Sequence, residues 1–133
     1  MIAPPKTLTE PLRILIVDDF VPFRQTLCQF FEPFATLTVV GEAIDGESAI
    51  EMAFQLLPHI IIMDVKMPRM SGVEATRRIK RFLPEIHIIG VSTQDDTLTQ
   101  DAMRAVGSSA FVTKDCAHTL GDVIAKLTGE PHS

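Results

Sequence analysis

The hydrophobic residues fall in short runs that alternate with segments in which apolar positions recur every three or four residues. Five runs are rich in β-branched or other apolar residues, as is typical of strands. Three of them are nearly uninterrupted, which indicates parallel strands covered on both faces. The predicted strands are Arg13–Val17, Leu37–Val40, His59–Met63, His87–Val91 and Ala110–Thr113.

The segments between and after these runs have helical periodicity. The predicted helices are 21–32, 46–57, 71–82, 96–106 and 117–127. Pro22 suits a helix start and Pro33 ends the same helix. Ser71, with Glu74 three residues later, predicts a capping box. The apolar stripe of the fourth predicted helix consists of Leu98, Ala102 and Ala105.

Five strands alternating with five helices predict an α/β fold with a doubly wound parallel sheet. Right-handed crossovers place helices on both faces, and such sheets bind ligands at the carboxyl ends of their strands. Residues 1–11, with three prolines, are predicted to be a flexible tail. Residues 12–128 form one predicted domain, and 129–133 are a C-terminal tail or the start of a linker.

Composition narrows the class of protein. The chain has 133 residues, of which 46% are hydrophobic, and this is enough for one self-sufficient core. A net charge of −5 argues against nucleic-acid binding by the chain itself, because phosphate contacts need a basic face. No apolar run approaches the roughly 20 residues of a membrane span. The N-terminus lacks the apolar core of a signal peptide, and Cys28 and Cys116 are expected to be free thiols, so we expect a cytoplasmic domain.

Acidic residues follow two of the predicted strands. Asp18 and Asp19 come after the first strand and Asp64 after the third. A single aspartate in such a place is commonly a cap or loop residue, but three that converge on one sheet edge repel one another. A hard divalent cation relieves that repulsion, and oxygen ligands of this kind suit Mg²⁺.

A hydroxyl and an ammonium group follow the remaining strands on the same edge. Ser92 ends the fourth strand and Lys114 the fifth. Taken alone, each is more simply a turn residue or a surface charge. Together with the carboxylates they form a site for an anion bound beside a cation, in which lysine pairs with phosphate oxygens. A carboxylate in this setting is a nucleophile toward phosphorus and yields an aspartyl phosphate.

The constellation resembles a response regulator receiver domain of two-component signalling. The matching segments are Val17–Asp19, Ile62–Pro68 with Gly72, Val91–Thr93 and Phe111–Lys114, and the likeness extends over residues 12–127. The resemblance implies a flavodoxin-like fold with sheet order 2-1-3-4-5. It also implies that a histidine kinase transfers a phosphoryl group to Asp64, and that the chain is a phosphoacceptor that assists its own phosphorylation and dephosphorylation rather than an enzyme.

The same resemblance implies a role for each neighbouring residue. Asp19 is expected to bind Mg²⁺ directly, Asp18 partly through water, and Lys66 through its backbone carbonyl. Lys114 is expected to pair with the phosphoryl group.

A switch is expected to follow phosphorylation. Ser92 moves toward Asp64, and Phe111 rotates into the space that this vacates. The surface of helix four, strand five and helix five then changes. One readout that this allows is a homodimer on phosphorylation, through this region or through helices one and five.

One subfamily is especially similar. The segment Val39–Ala43, Gly46 with Glu47, and Gly107 to Asp115 resemble receivers that precede a LuxR-type helix-turn-helix output domain. Such an output domain is absent from this sequence. The expected output is therefore regulation of transcription, with DNA contacted only through that domain. A stand-alone receiver that acts through protein contacts is the alternative.

Other functional classes fit the sequence less well. Haloacid-dehalogenase-like phosphatases need an aspartate two residues after the nucleophile, where this chain has Lys66. Nucleotide-binding α/β domains carry glycine-rich phosphate loops that are missing here. A module that no longer takes phosphate remains a weaker alternative.

The basic run 77–81 is either a docking patch or a solvated helix face that complements the helix dipole. The histidines, which show no metal-ligand spacing, are His59, His87, His118 and His132.

Overall fold

The computed structural model describes residues 10–94 and 96–129. The strands are β1 Leu12–Val17, β2 Leu37–Ala43, β3 Ile60–Asp64, β4 His87–Ser92 and β5 Ala110–Thr113. The helices are α1 Val21–Phe31, α2 Gly46–Leu56, α3 Gly72–Phe82, α4 Thr97–Ala105 and α5 Leu120–Thr128. Most of the two predicted tails, and His132 with them, lies outside the described residues, so the domain boundaries remain predictions.

The five strands form one parallel sheet in the order β2-β1-β3-β4-β5, which confirms the predicted fold class. Val17 pairs with Met63, and Ser92 pairs with Thr113. Because the strands are parallel, the residues that follow these pairs come out on a single edge of the sheet.

Helices cover both faces of the sheet, as the uninterrupted apolar strands predict. Helices α2, α3 and α4 pack on one face, through Ala49, Ala53, Ala75, Ile79 and Met103. Helices α1 and α5 pack on the other, through Leu27, Phe31, Leu120 and Ile124. Among the described helices, none is long and apolar enough to cross a membrane.

The predicted capping box on α3 is only half formed. The Ser71 hydroxyl accepts from the backbone N–H of Glu74 at 3.3 Å, as predicted. The Glu74 carboxylate does not close the box, because it binds Arg77 and Arg78 on its own helix. A complete reciprocal box caps α2 instead, where the side chains of Asp45 and Ser48 each accept from the other's backbone N–H.

Two details of the fourth and fifth helices differ from the prediction. Helix five does not begin at 117, since Lys114–Thr119 form a 3₁₀ turn and the α-helix begins at Leu120. Leu98 on α4 is 80% exposed, and Met103 is the residue of that helix that is buried against the sheet. The sparse apolar positions of α4 fit more than one helical face, so periodicity alone assigned the wrong stripe.

Candidate functional site

Three carboxylates meet where β1 and β3 end. Asp18, Asp19 and Asp64 each contribute an oxygen to a cluster whose atoms lie within 4.8 Å of one another. Asp18 and Asp64 are buried, whereas Asp19 is exposed. The parallel pairing of β1 with β3 produces this meeting, because both chains leave the sheet at the same edge. The cluster is open to solvent through Asp19.

Both oxygens of the buried Asp18 carboxylate have a partner. Its Oδ1 accepts from the backbone N–H of Phe20 at 2.8 Å. Its Oδ2 forms a close ion pair with the Lys114 ammonium at 2.6 Å. A charge buried to this degree needs such a partner, so Lys114 and Asp18 stabilise one another.

The environment of Asp64 disfavours its charged form. Burial raises the pKa of the Asp64 carboxyl to about 7, and the negative charge of Asp18 adds to the effect. The Lys114 cation and the backbone N–H of Lys66 oppose it. A divalent cation among these oxygens would remove the repulsion, and a donor set made of carboxylates fits Mg²⁺.

Lys114 belongs to the 3₁₀ turn that follows β5, and this turn aims its side chain at the carboxylates. Its Nζ lies 3.8 Å from Asp64 Oδ1 and 4.7 Å from the centre of the Phe23 ring. The cation therefore rests on an aromatic face as well as beside two carboxylates. The helical pattern of residues 21–32 does not reveal this contact. The available signal was the place of Phe23 in the first turn of α1, next to the acidic pair.

A cavity of about 610 Å³ opens beside the cluster. Its lining includes Asp19, Phe20, Phe23, Asp64, Lys66, Ser92, Thr93 and Lys114. Ser92 is fully buried, and its hydroxyl accepts from the backbone N–H of Gln94 at 3.4 Å. Lys66 Nζ donates to Gln94 Oε1 at 3.4 Å, so the exposed Lys66 side chain lies at the outer rim.

Phe111 lies on the α4 side of the sheet, directly across from Gly90 of β4. A Cβ at Gly90 would lie 3.2 Å from the Phe111 ring and 3.0 Å from the Met103 side chain. A side chain at position 90 would therefore press on both neighbours, and glycine leaves room for the Phe111 ring. The ring is half-buried and borders an outer groove formed with α4.

The loop from Val65 to Ser71 passes close over the backbone of Asp64. The Gly72 N–H donates to the Val65 carbonyl at 2.8 Å, and a Cβ at Gly72 would lie 2.2 Å from the Asp64 carbonyl oxygen. No side chain fits in this space, so glycine is required where the loop returns to begin α3.

The remaining candidates lie elsewhere. Arg77 and Arg78 are exposed and bind Glu74, which supports a solvated helix face. His59 Nδ1 accepts from the Arg13 backbone N–H, and His87 contacts Ser109. Both described cysteines are free thiols. Within the described residues, the aspartate cluster is the single group of three or more acidic, histidine or cysteine side chains with metal-binding spacing.

The sequence matches the family model of the response regulator receiver domain over residues 14–125. One similar curated protein is the protein-glutamate methylesterase/protein-glutamine glutaminase 4 of Myxococcus xanthus. It is 43% identical over 102 residues, which are 77% of this chain and 29% of that protein. Another is the transcriptional regulatory protein LiaR of Bacillus subtilis, 34% identical over 122 residues, which are 90% of this chain and 58% of that protein.

These relatives are longer than the matched region, so this chain spans about a third to somewhat over half of their length. Among solved structures, a chain of the CheX–CheY–BeF₃–Mg²⁺ complex of Borrelia burgdorferi superposes with a TM-score of 0.80 and 26% identity. The match covers 89% of this chain and 90% of that chain.

Proposed function

The chain belongs to the response regulator receiver family, and from this premise we propose that it is a phosphorylation-controlled switch with Asp64 as the phosphoacceptor. The observation that supports this assignment is the placement of the Asp64 carboxylate. It is buried beside two further aspartates, with the Lys114 ammonium 3.8 Å away and a solvent-accessible cavity in front of it. The proposed donor is the phosphohistidine of a cognate histidine kinase.

In the proposed reaction, an Asp64 carboxylate oxygen forms a bond to phosphorus while the bond from phosphorus to the histidine nitrogen breaks. The electron pair of the broken bond stays on the imidazole, which leaves as the neutral ring after taking up a proton. Lys114 lies where its charge offsets the negative charge on the phosphoryl oxygens. Ser92 borders the same cavity and offers a hydroxyl donor to one of those oxygens.

Asp18, Asp19 and Asp64 would hold Mg²⁺, with the backbone carbonyl of Lys66 as a further proposed ligand. When bound, the ion supplies charge neutralisation between the acceptor carboxylate and the incoming phosphoryl group. Three carboxylates with oxygens within 4.8 Å of one another, two of them buried, support this assignment. The Borrelia complex, which contains Mg²⁺ and BeF₃, supports it by analogy.

Phosphorylation is proposed to act through Ser92 and Phe111. A phosphoryl group on Asp64 gives the Ser92 hydroxyl a new acceptor, which draws β4 and the following loop toward Asp64. Phe111 then turns inward from the outer groove beside α4. The contacts of the phosphoryl group form in only one of two side-chain packings. They therefore raise the population of that packing, and the α4–β5–α5 surface changes shape.

The output is proposed to be transcriptional and to require a further domain that binds DNA, as the likeness to LiaR suggests. Relatives such as the Myxococcus methylesterase join a similar receiver to a different activity. A receiver that acts by protein contact alone is the alternative. We further propose a cytoplasmic location, where a histidine kinase would meet this chain.

The experiment is mass spectrometry of the intact protein after incubation with acetyl phosphate and Mg²⁺. One phosphoryl group is expected on the wild type. None is expected on Asp64→Asn, which keeps the shape of the side chain but removes the nucleophile. Asp122→Asn, at an exposed site on α5, is the matched control and should be modified like the wild type. Modification of the Asp64→Asn variant would contradict the assignment.

A further inference from the structure

A groove of about 550 Å³ runs along the outer face of α2, and its far side is formed by Met70, in the loop before α3, and by Arg78 of α3. Its floor is apolar, with Ile50, Phe54 and Met70, and its rim carries the charged side chains Glu47, Glu51 and Arg78. It shares no lining residue with the cavity beside Asp64. The groove therefore belongs to a separate surface of the domain.

Two large aromatic side chains are exposed at one end of this surface. Phe54 and Phe82 are 45% and 62% exposed, and their ring centres lie 6.2 Å apart. The guanidinium carbon of Arg81 lies 5.4 Å from the centre of the Phe82 ring. Adjacent rings left open to water form a patch whose burial against a partner would be favourable.

The charges on the two sides of the groove have opposite signs. Glu47 and Glu51 are exposed on α2, whereas Arg78 and Arg81 are exposed on α3. Arg78 binds Glu74 of its own helix but remains about half exposed, so it can still face a partner. One side of the surface is thus acidic and the other basic.

The two helices also run in the same direction. Each follows a strand of one parallel sheet and packs on the same sheet face. The ends of the two helices correspond, because Gly46 lies against Met70 at one end and Phe54 lies against Phe82 at the other. The acidic side on α2 and the basic side on α3 therefore lie next to each other along the whole length of the two helices.

We propose that this α2–α3 surface binds a second copy of the chain, across a two-fold axis that runs parallel to the two helices. This axis places α2 of one copy on α3 of the other, so Glu51 faces the basic side and Phe54 meets the partner's Phe82. A two-fold axis across the helices would place acidic α2 on acidic α2. The charge pattern selects the first arrangement, because like charges in contact are unfavourable.

The test measures weight-average mass by sedimentation or light scattering against protein concentration, without any phosphoryl donor. The wild-type mass is expected to rise from 14.7 kDa toward twice that value. Glu51→Arg alone and Arg78→Glu alone should each remain monomeric. In a homodimer of either variant, positions 51 and 78 of the two copies would carry the same charge at both contacts. An equimolar mixture of the two variants should associate again, because each contact in the mixed dimer joins opposite charges.

Matched controls carry the same charge changes on α5, where Asp122→Arg and Lys126→Glu alter exposed residues and should leave the association unchanged. Circular dichroism checks that all four variants are folded. A mass that stays at the monomer value at every concentration overturns the proposal and leaves the groove for a helix of another protein. Association that survives both single variants on α2 and α3, or fails in the α5 variants, places the contact on another face and also overturns it.

Discussion

The Lys114 ammonium lies 2.6 Å from a carboxylate oxygen of Asp18 but 3.8 Å from Oδ1 of Asp64, the proposed acceptor. In the unphosphorylated protein, this cation is therefore paired more closely with Asp18, a proposed metal ligand, than with Asp64, the proposed nucleophile. Occupation of the carboxylates by Mg²⁺ would compete with Lys114 for Asp18 and release the ammonium toward the phosphoryl group. Lys114 therefore acts directly on the carboxylates, whereas the Lys66 ammonium contacts Gln94 at the outer rim of the cavity.

Replacing Lys114 by methionine should raise the pKa of the Asp64 carboxyl above about 7, because the Lys114 cation is the charge that lowers it. The pKa is measured from the carboxyl carbon chemical shift of Asp64 in the metal-free protein. The same variant should take up phosphoryl groups from acetyl phosphate more slowly. Lys66→Met is the matched control, because Lys66 acts on Asp64 through its backbone N–H, which the variant keeps. An unchanged Asp64 pKa in Lys114→Met would show that the ammonium does not stabilise this carboxylate.

Asp64→Asn should stabilise the metal-free protein above neutral pH. The Asp64 pKa is raised to about 7 in the folded state. The folded protein therefore binds more protons than the unfolded chain between about pH 4 and pH 7, and the free energy of unfolding falls as pH rises through this range. At pH 8, above both pKa values, the variant should be more stable by up to about 4 kcal/mol, because the Asp64 pKa lies roughly three pH units above its ordinary value and each unit corresponds to about 1.4 kcal/mol. The measurement is urea denaturation at several pH values.

Mg²⁺ should reduce the difference in free energy of unfolding between Asp64→Asn and the wild type, because its positive charge offsets the repulsion among the wild-type carboxylates. Asp122→Asn, an exposed carboxylate, should follow the wild-type pH curve. Parallel pH curves for the wild type and Asp64→Asn would contradict the argument that the carboxylate cluster destabilises the folded state.

The pattern of uninterrupted apolar runs was sufficient to predict the sheet and both helical layers, because strands buried on both faces leave that signature. The edge at which Asp18, Asp64 and Lys114 meet followed from parallel topology. Distances within the edge did not follow, since they depend on side-chain placement. The contact of Lys114 with Phe23 arises from a 3₁₀ turn that helical periodicity reads as the start of α5.

Gly72→Ala should strongly destabilise the domain and displace Asp64. The added Cβ would lie 2.2 Å from the Asp64 carbonyl oxygen, and backbone atoms cannot move aside as a flexible side chain can. We expect a loss of roughly 3 kcal/mol in the free energy of unfolding, measured by urea denaturation, together with slower phosphorylation. Gly121→Ala is the control, because its Cβ would lie 3.4 Å from the Phe34 ring, an ordinary contact, and alanine favours the helix. Equal stability of the two variants would show that the loop passes less closely over Asp64.

Ser92→Ala should separate phosphorylation from its consequence. The variant keeps Asp64, Lys114 and the carboxylate cluster, so it should still take up a phosphoryl group. It lacks the hydroxyl that would bond to that group, so β4 and Phe111 lose the contact that favours the second packing.

Amide chemical shifts recorded with Mg²⁺ and beryllofluoride should change around Asp64 in both proteins. In the wild type the changes should extend to 97–128, and in Ser92→Ala they should be much smaller there. Thr93→Ala, at the exposed neighbouring position, should respond like the wild type. If shift changes across 97–128 were equal in Ser92→Ala and the wild type, the signal would have to reach α4 and α5 by a route other than the Ser92 hydroxyl.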